Sequence, residues 1–284
     1  MTTPVETNRA HSPFHDPTIP ALVDSHAHLE LEPLCTDPAS VVLRATHVGV
    51  VAIITVGIDL EDAQRALAIA DQFDNVFACV GFHPHNAKDC DDRTLEAMQH
   101  LAEHPKVKGY GEIGLDFFRN RSPRDRQLAV FADQLALAKK LGKPVVIHLR
   151  DAYGEGLRML EEAAPFPAGG VIHCFSGNRD DAQRALDLGF HISIPGTVTY
   201  KKNDLLRGIV STLPENRILL ETDCPFLPPE PFRGKDNEPA YLIHTARKVA
   251  EVREVSLARI AEATTVNAKS LFGLPIHTHS FPKK

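Results

Sequence analysis

The amino-acid sequence predicts a single (β/α)8 barrel, and three observations lead to this fold class. Short runs of apolar, mostly β-branched residues recur along the chain, and longer amphipathic stretches follow them. The apolar runs are continuous rather than alternating, which is typical of parallel strands that are buried on both faces. This rhythm of strand and helix extends over about 250 residues, the usual length of such a barrel.

Eight strands are predicted, in chain order: Leu22–Val23, Val50–Val56, Val76–Val80, Gly109–Ile113, Val145–His148, Val171–Phe175, Phe190–Ile194 and Arg217–Leu220. Helical periodicity predicts helices over Glu61–Gln72, Asp92–His104, Arg124–Leu141, Ala152–Ala163, Asp180–Leu188 and Leu205–Leu213. Gly142 and Gly189 mark two helix ends, because glycine readily adopts the left-handed backbone that closes a helix. A doubly wound open sheet would have a similar rhythm, but no Gly-x-Gly-x-x-Gly motif follows the first strand.

The two ends of the chain differ in character from the barrel. Residues 1–20 contain four prolines with polar spacers, so a flexible N-terminal extension is predicted there. The barrel domain is predicted to span residues 21–273, and residues 274–284 are predicted to form a short C-terminal tail. His277 and His279 in this tail have a His-x-His spacing without a predicted strand beneath it, which we interpret as incidental.

Composition and charge restrict the class of protein. Hydrophobic residues make up 43% of the chain and charged residues 24%, as in ordinary globular domains. No apolar run approaches the roughly twenty residues of a membrane helix, and the N-terminus lacks the apolar core of a signal peptide. Five scattered cysteines without a Cys-x-x-Cys pair favour reduced thiols and a cytoplasmic location. Because the net charge is −6, a polyanionic substrate would need local cations or metal ions.

The first strand leads into two histidines with alternate spacing, in the segment Val-Asp-Ser-His-Ala-His-Leu at residues 23–29. Alternate side chains of a strand lie on the same face, so His26 and His28 would direct their imidazoles the same way. Two neutral imidazoles on one face could form half of a metal site. A solvent-exposed pair at a strand edge would have the same spacing, so the pair alone does not distinguish a metal site from exposed histidines.

Ligand-type side chains also occur at the ends of later strands: Glu112 on the fourth, His148 on the fifth, His173 on the sixth and Asp223 after the eighth. The active sites of (β/α)8 barrels lie at the carboxyl ends of the strands, where these side chains would meet. Imidazole nitrogen and carboxylate oxygen suit Zn²⁺, Mn²⁺ or Co²⁺, and Mg²⁺ also fits oxygen-rich positions. We therefore predict a binuclear metal centre; the alternative is a set of unrelated polar residues that cap their strands.

Seven motifs contain or accompany these residues: Asp24-Ser-His-Ala-His-Leu, Gly81-Phe-His-Pro-His, Gly111-Glu-Ile-Gly-Leu-Asp, Pro144-Val-Val-Ile-His, His173-Cys-Phe-Ser-Gly, Glu221-Thr-Asp-Cys-Pro and Arg233-Gly-Lys-Asp-Asn-Glu-Pro. In this order they resemble the TatD-like metal-dependent DNases, a family of the amidohydrolase superfamily. The resemblance covers residues 21–272. Two positions depart slightly from the family pattern: Ala27, where cysteine is common, and Phe117, where the usual aromatic residue is often tyrosine.

This resemblance implies a hydrolase that cleaves phosphodiester bonds in a nucleic acid, with DNA as the expected substrate and two divalent ions as cofactors. The implied ligands of the first ion are His26, His28, Glu112 and Asp223, and those of the second are Glu112, His148 and His173, with Glu112 bridging the two. The ions would activate a water molecule, and Asp223 would accept its proton. Neither a membrane nor a protein partner can be inferred from the sequence.

Four further residues are predicted to bind the substrate: His83, Arg233, Lys235 and Asn237. Arg233 and Lys235 are cations on the loop after the eighth strand, although a solvated charged loop would have the same composition. His83 follows the third strand, from which it could reach a phosphate; a histidine packed within the loop is the alternative. Asp24 shares a strand face with the two histidines of the first strand, so we expect its carboxylate to hold an imidazole from behind.

Two other functions fit parts of the pattern. An amidohydrolase that acts on an amide, a lactone or a small phosphoester would share the His-x-His motif and the aspartate after the last strand. Several such enzymes bridge their metals with a carboxylated lysine after the fourth strand, whereas this chain has Glu112 on its fourth strand. A non-catalytic, metal-dependent nucleic-acid-binding scaffold is less favoured, because binding alone requires neither the activating metals nor Asp223.

Overall fold

The structure is a computed structural model that describes residues 20–276 of the chain. Eight strands form one sheet: β1 (Leu22–Ala27), β2 (Val50–Gly57), β3 (Val76–Val80), β4 (Val107–Asp116), β5 (Val145–Arg150), β6 (Gly170–Ile172), β7 (His191–Ile194) and β8 (Ile218–Leu220). The strand order follows the chain order, and the paired neighbours are parallel. The predicted barrel is therefore confirmed, with β1 and β4 longer than expected.

The barrel closes between β1 and β8. The backbone nitrogen of Asp223 donates to the backbone oxygen of His26 at 2.9 Å, and that of His28 donates to Cys224 at 2.8 Å. The hydroxyl of Ser25 donates to the backbone oxygen of Leu220, also at 2.9 Å. These hydrogen bonds bring the residues that follow β8 directly beside the histidines of β1.

Within residues 20–276, nine α-helices accompany the strands: α1 (Pro38–His47), α2 (Leu60–Ala70), α3 (Asp92–Ala102), α4 (Arg124–Leu141), α5 (Tyr153–Ala163), α6 (Arg179–Asp187), α7 (Asp204–Val210), α8 (Leu242–Val252) and α9 (Leu257–Phe272). Helices α2 to α7 confirm the six predicted helices, whereas α1, α8 and α9 lie outside them. The start of α1 has a recognisable signal, because Asp37 accepts a hydrogen bond from the Ser40 backbone nitrogen and Pro38 occupies the first turn.

The ends of the barrel domain are described only in part. The extension predicted for residues 1–20 lies, apart from Pro20, outside the described residues, and so do His277 and His279 of the predicted tail. Leu274, at the start of that tail, is buried in the same apolar cluster as Phe272. No helix within residues 20–276 is both long enough and apolar enough to cross a membrane.

A glycine in β4 permits the close approach of β4 to β5. Gly114 has a φ of +145°, and a Cβ atom at this position would lie 2.0 Å from the backbone oxygen of His148. Only a residue without a side chain fits there, because both the backbone angle and the space exclude a Cβ atom. This approach positions Glu112 on β4 beside His148 on β5.

Candidate metal centre

Six predicted ligands meet at the carboxyl end of the barrel: His26, His28, Glu112, His148, His173 and Asp223. The Glu112 carboxylate lies at the middle of this group. Its Oε1 is 2.6 Å from both His148 Nδ1 and His173 Nε2. Its Oε2 is 3.4 Å from His26 Nε2 and 3.9 Å from His28 Nε2. One carboxylate oxygen therefore faces each pair of histidines.

Asp223 also approaches His26 and His28, the histidine pair at the end of β1. Its Oδ1 lies 3.5 Å from His28 Nε2 and 3.9 Å from His26 Nε2. Asp223 has a φ of +56°, a left-handed conformation that is uncommon for a residue other than glycine. The chain thus turns sharply after β8, where the backbone of Asp223 is fixed by its hydrogen bond to His26.

The imidazole nitrogens of the centre face one another in pairs. His26 Nε2 is 3.3 Å from His28 Nε2, and His148 Nδ1 is 3.1 Å from His173 Nε2. Nitrogen lone pairs at this separation require a shared proton or a cation, and the nearby carboxylates supply matching negative charge. The donor set of imidazole nitrogen and carboxylate oxygen therefore suits divalent metal ions.

Electrostatics keep the central carboxylate ionised. Burial raises the pKa of Glu112, but the imidazoles of His173, His83 and His148 outweigh burial and lower the pKa well below its ordinary value. Burial lowers the pKa of His173, but the carboxylates of Glu112 and Glu221 outweigh burial and raise the pKa well above its ordinary value. The centre therefore attracts positive charge, which a metal ion can supply in place of a proton.

Three of the imidazoles have a further carboxylate on the side away from Glu112. Glu30 Oε1 lies 3.1 Å from His28 Nδ1, and Glu221 Oε1 lies 3.6 Å from His173 Nδ1. Asp116 Oδ2 lies 3.5 Å from His148 Nε2. Carboxylates in such positions fix the orientation of a ligating ring and increase its basicity. The sequence analysis did not assign these three residues, although all three fall within or next to its motifs.

The structure contradicts the role expected for Asp24. Its Oδ1 accepts a hydrogen bond from the Thr222 backbone nitrogen at 2.9 Å, and its Oδ2 accepts one from the Thr222 hydroxyl at 2.6 Å. Asp24 holds no imidazole, because its carboxylate is engaged with the chain after β8. Burial raises the pKa of Asp24 to about 8, against the opposing effect of the Thr222 hydrogen bonds.

His83 lies beside Glu112 and differs in chemistry from the other imidazoles. Its Nδ1 accepts a hydrogen bond from the His85 backbone nitrogen at 3.0 Å, so Nε2 carries the ring hydrogen. This Nε2 is 3.5 Å from Glu112 Oε1. Burial lowers the pKa of His83 well below its ordinary value, which keeps the ring neutral. A neutral N–H can donate to an oxygen atom, but it offers no lone pair to a metal ion.

The two predicted cations of the loop after β8 are exposed. Arg233 has 59% of its side chain exposed, and its guanidinium lies 4.4 Å from the ring centroid of Tyr200. Lys235 is also exposed, with Nζ 5.9 Å from the ring centroid of Phe232. The Arg233 guanidinium also lies 4.0 Å from a carboxylate oxygen of Glu230. Both cations are therefore accessible to solvent on this loop.

Asn237 does not occupy the position expected of a substrate-binding residue. It is fully buried, and its Nδ2 donates to the backbone oxygens of Thr222 at 2.8 Å and Phe226 at 2.7 Å. Its Oδ1 accepts a hydrogen bond from the Glu238 backbone nitrogen at 3.0 Å. Asn237 therefore fixes the loop on both sides of Asp223 and has no surface left for a substrate.

The fold and this centre together define a class of protein. A (β/α)8 barrel with four histidines, a central glutamate and an aspartate at the carboxyl ends of its strands is typical of a metal-dependent hydrolase. Comparison with known proteins identifies the family. The model of the TatD related DNase family matches residues 23–273, so the chain belongs to that family, and the resemblance of the motifs is confirmed.

Individual relatives agree with this assignment. The chain is 41% identical over 251 residues to the "Uncharacterized metal-dependent hydrolase YabD" of Bacillus subtilis, with 88% of this chain and 98% of YabD covered. It is 36% identical over 261 residues to the "3'-5' ssDNA/RNA exonuclease TatD" of Klebsiella pneumoniae, with 90% and 99% covered. The crystal structure of YJJV, a TatD homolog from Escherichia coli, matches with a TM-score of 0.85 and 33% identity, covering 89% of this chain and 98% of that one.

Proposed function

We propose that this protein is a deoxyribonuclease that cleaves phosphodiester bonds with two divalent ions. The observation that carries the proposal is the position of Glu112, with Oε1 2.6 Å from two imidazole nitrogens and Oε2 3.4 Å from a third. A carboxylate that faces two histidine pairs in this way suits a bridge between two ions. The relative named as an ssDNA/RNA exonuclease supports a nucleic-acid substrate.

We assign the ligands according to these distances. The first ion would be held by His26, His28, Glu112 and Asp223, and the second by Glu112, His148 and His173. Zn²⁺, Mn²⁺, Co²⁺ and Mg²⁺ are the candidates, since all four accept carboxylate and the first three favour imidazole. Such ions would lower the pKa of a water molecule and offset the negative charge that develops on the phosphoryl oxygens.

The protein groups have separate tasks in this proposal. Asp223 accepts the proton of the attacking water. Burial raises the pKa of its carboxyl, but the imidazoles of His28, His173 and His26 outweigh burial and lower the pKa, so the group is ionised and has a lone pair for the proton. His83 donates its Nε2–H to a phosphate oxygen or to the leaving oxygen, as its tautomer allows. Arg233 and Lys235 attract the phosphate backbone at the rim and compensate locally for the net charge of −6.

Product analysis on an end-labelled DNA strand, with each of the four metals in turn, tests the proposed activity. We expect wild-type protein to shorten the strand, and Glu112→Gln to lose this activity by at least about a hundredfold, since it removes a charge shared by both ions. Glu103→Gln, on an exposed carboxylate, is the matched control. RNA, a small phosphoester, a lactone and an amide serve as alternative substrates. Cleavage of a lactone but not of DNA would contradict the proposal.

Metal content provides a second, independent measurement. Purified wild-type protein should contain up to two ions per chain, measured by plasma mass spectrometry. His148→Ala combined with His173→Ala should remove the second ion and leave the first. If the double variant retains both ions, the assignment of the second site is wrong.

We also propose that the protein functions in the cytoplasm. Its five cysteines, Cys35, Cys79, Cys90, Cys174 and Cys224, are all free thiols. Burial raises the pKa of Cys79 to about 12, so this thiol stays protonated and unreactive. Free thiols are typical of a reducing compartment. Cell fractionation with an antibody against the native protein would test the location.

A further inference from the structure

Two phenylalanine rings are exposed at the mouth of the barrel. Among residues 20–276, five large hydrophobic side chains are about half exposed: Leu43, Phe118, Leu205, Phe226 and Val266. The three aliphatic residues lie on the outer helices α1, α7 and α9. The two aromatic residues instead follow β4 and β8, the strands that lead to the carboxylates of the metal centre. Scattered aliphatic exposure is ordinary, whereas two aromatic rings beside an active centre require an explanation.

Phe226 lies next to the first histidine pair. Its ring is 51% exposed, and its centroid is 6.0 Å from that of His28. The backbone beneath it is fixed, because its nitrogen donates to the Asp223 oxygen at 3.0 Å and its oxygen accepts from Asn237 at 2.7 Å. A rigid backbone with an exposed ring suits recognition, since little conformational freedom is lost on binding.

Phe118 is the second residue after the end of β4. Its ring is 55% exposed, and the Arg150 guanidinium lies 4.1 Å from its centroid. It follows Asp116, whose Oδ1 accepts a hydrogen bond from the Arg119 backbone nitrogen at 2.7 Å. The Arg119 guanidinium lies 5.5 Å from the same ring. Phe118 therefore combines an exposed aromatic face with two cations that could meet phosphates.

The strand order determines how the two rings are related. In a ring of eight strands that runs from β1 to β8, β4 and β8 lie on opposite sides. Phe118 and Phe226 therefore flank the metal centre from opposite directions. A chain of nucleotides that crosses the centre would bring one base near each ring while a phosphate lies between them.

We infer that Phe118 and Phe226 stack on unpaired bases on the two sides of the scissile phosphate. This inference rests on the proposed nuclease function and extends it to the mode of recognition. A base in a duplex has its faces covered by its neighbours, whereas an unpaired base can stack on an aromatic ring. Stacking is also suited to a chain of net charge −6, whose general attraction for phosphates is weak.

The test compares Phe118→Ala and Phe226→Ala with Leu205→Ala, an equally exposed control on α7. The substrates are a labelled single-stranded DNA, the same strand annealed to its complement, and a strand of abasic deoxyribose phosphates of equal length. Each phenylalanine variant should raise KM for the single strand by about 5- to 150-fold, the usual effect of losing one stacked base. The variants should leave KM for the abasic strand unchanged, and Phe118→Trp should restore the wild-type value.

Binding of the labelled single strand, measured by fluorescence anisotropy with a chelator present, separates stacking from catalysis. Weaker binding by both alanine variants than by Leu205→Ala would support stacking, and if the wild-type protein then cleaves no strand when metal ions are added, the nuclease function alone would be contradicted. Cleavage by wild-type protein together with unchanged KM and binding in both alanine variants would overturn the stacking inference and leave the nuclease function intact. Equal binding of the abasic and normal strands by wild-type protein would also overturn it.

Discussion

Glu30 Oε1 lies 3.1 Å from Nδ1 of His28, and the other oxygen of the same carboxylate accepts a hydrogen bond from the Thr55 hydroxyl at 2.6 Å. Glu30 is buried, so the pair is shielded from solvent. The backbone oxygen of Val56 lies 2.8 Å from the same ring nitrogen. Nδ1 of His28 is thereby held by two oxygens, which leaves Nε2 directed at Asp223 and Glu112.

The first prediction concerns this support of His28. Glu30→Gln should weaken the affinity of the first site for Zn²⁺ by about 10-fold, the lower end of the usual effect, because the Val56 oxygen still orients the ring. Competition with a chromophoric chelator measures the dissociation constant. Glu61→Gln is the control, since that carboxylate is 79% exposed and pairs only with Arg65 on α2. Equal affinities of the Glu30 variant and the control would contradict the supporting role.

The second prediction concerns the link between β1 and the chain after β8. Thr222→Val should lower the free energy of unfolding by about 1–3 kcal/mol, because the buried Asp24 carboxyl loses its hydroxyl partner. Thr222→Ser keeps the hydroxyl and loses one methyl group, so it should cost about 1 kcal/mol or less. Urea unfolding of the three proteins provides the measurement. A valine variant more stable than the serine variant would show that the hydrogen bond contributes little.

The barrel and its central ligands could be predicted because both depend on local patterns. Continuous apolar runs such as Val50–Val56 are a direct result of burial on both faces of β2. The carboxyl ends of parallel strands must gather at one end of a barrel, so His148 and His173 could be expected to meet without knowledge of any distance.

The contacts behind the ligands could not be predicted in the same way. Asp24 and Thr222 are 198 positions apart, and their contact depends on the register between β1 and the residues that follow β8. β1 itself was predicted too short, because Asp24, Ser25 and His26 are polar and interrupt the apolar run from which a strand is predicted. Asn237 lies in a charged segment, and only the folded loop reveals that its amide is buried.

The third prediction concerns the close approach of β4 and β5. Gly114→Ala should lower the free energy of unfolding by more than about 1 kcal/mol, because its Cβ would lie 2.0 Å from the His148 backbone oxygen and its φ is +145°. Displacement of β5 would also move His148 away from Glu112, so metal content should fall. Gly154→Ala in α5 is the matched control: no atom lies within 4 Å of its Cβ, and it should stabilise the protein by up to about 1 kcal/mol.

Both glycine variants can be compared by thermal unfolding, with metal content measured on the same samples. The prediction is wrong if Gly114→Ala unfolds at the wild-type temperature and binds metal normally. A loss of stability in both variants alike would instead indicate a general sensitivity to added side-chain volume.

The fourth prediction concerns His191, which begins β7 at the end of the barrel opposite the metal centre. Burial, together with the charge of Arg217, lowers the pKa of His191 from 6.5 to about 4. The folded protein therefore keeps this imidazole neutral at a pH where the unfolded chain takes up a proton. Stability must fall as the pH falls below 6.5, and this effect ends near pH 4. Between about pH 7 and about pH 5, His191 should account for a loss of about 2 kcal/mol.

His191→Asn removes the titrating group. The free energy of unfolding should therefore fall less in this variant than in the wild type over the same pH interval, and the two decreases should differ by about 2 kcal/mol. Urea unfolding at both pH values, with a chelator present, measures the two changes. Because the other histidines are common to both proteins, their contributions cancel when the two changes are subtracted. Identical pH dependence in the two proteins would mean that His191 binds its proton equally well in the folded and unfolded states.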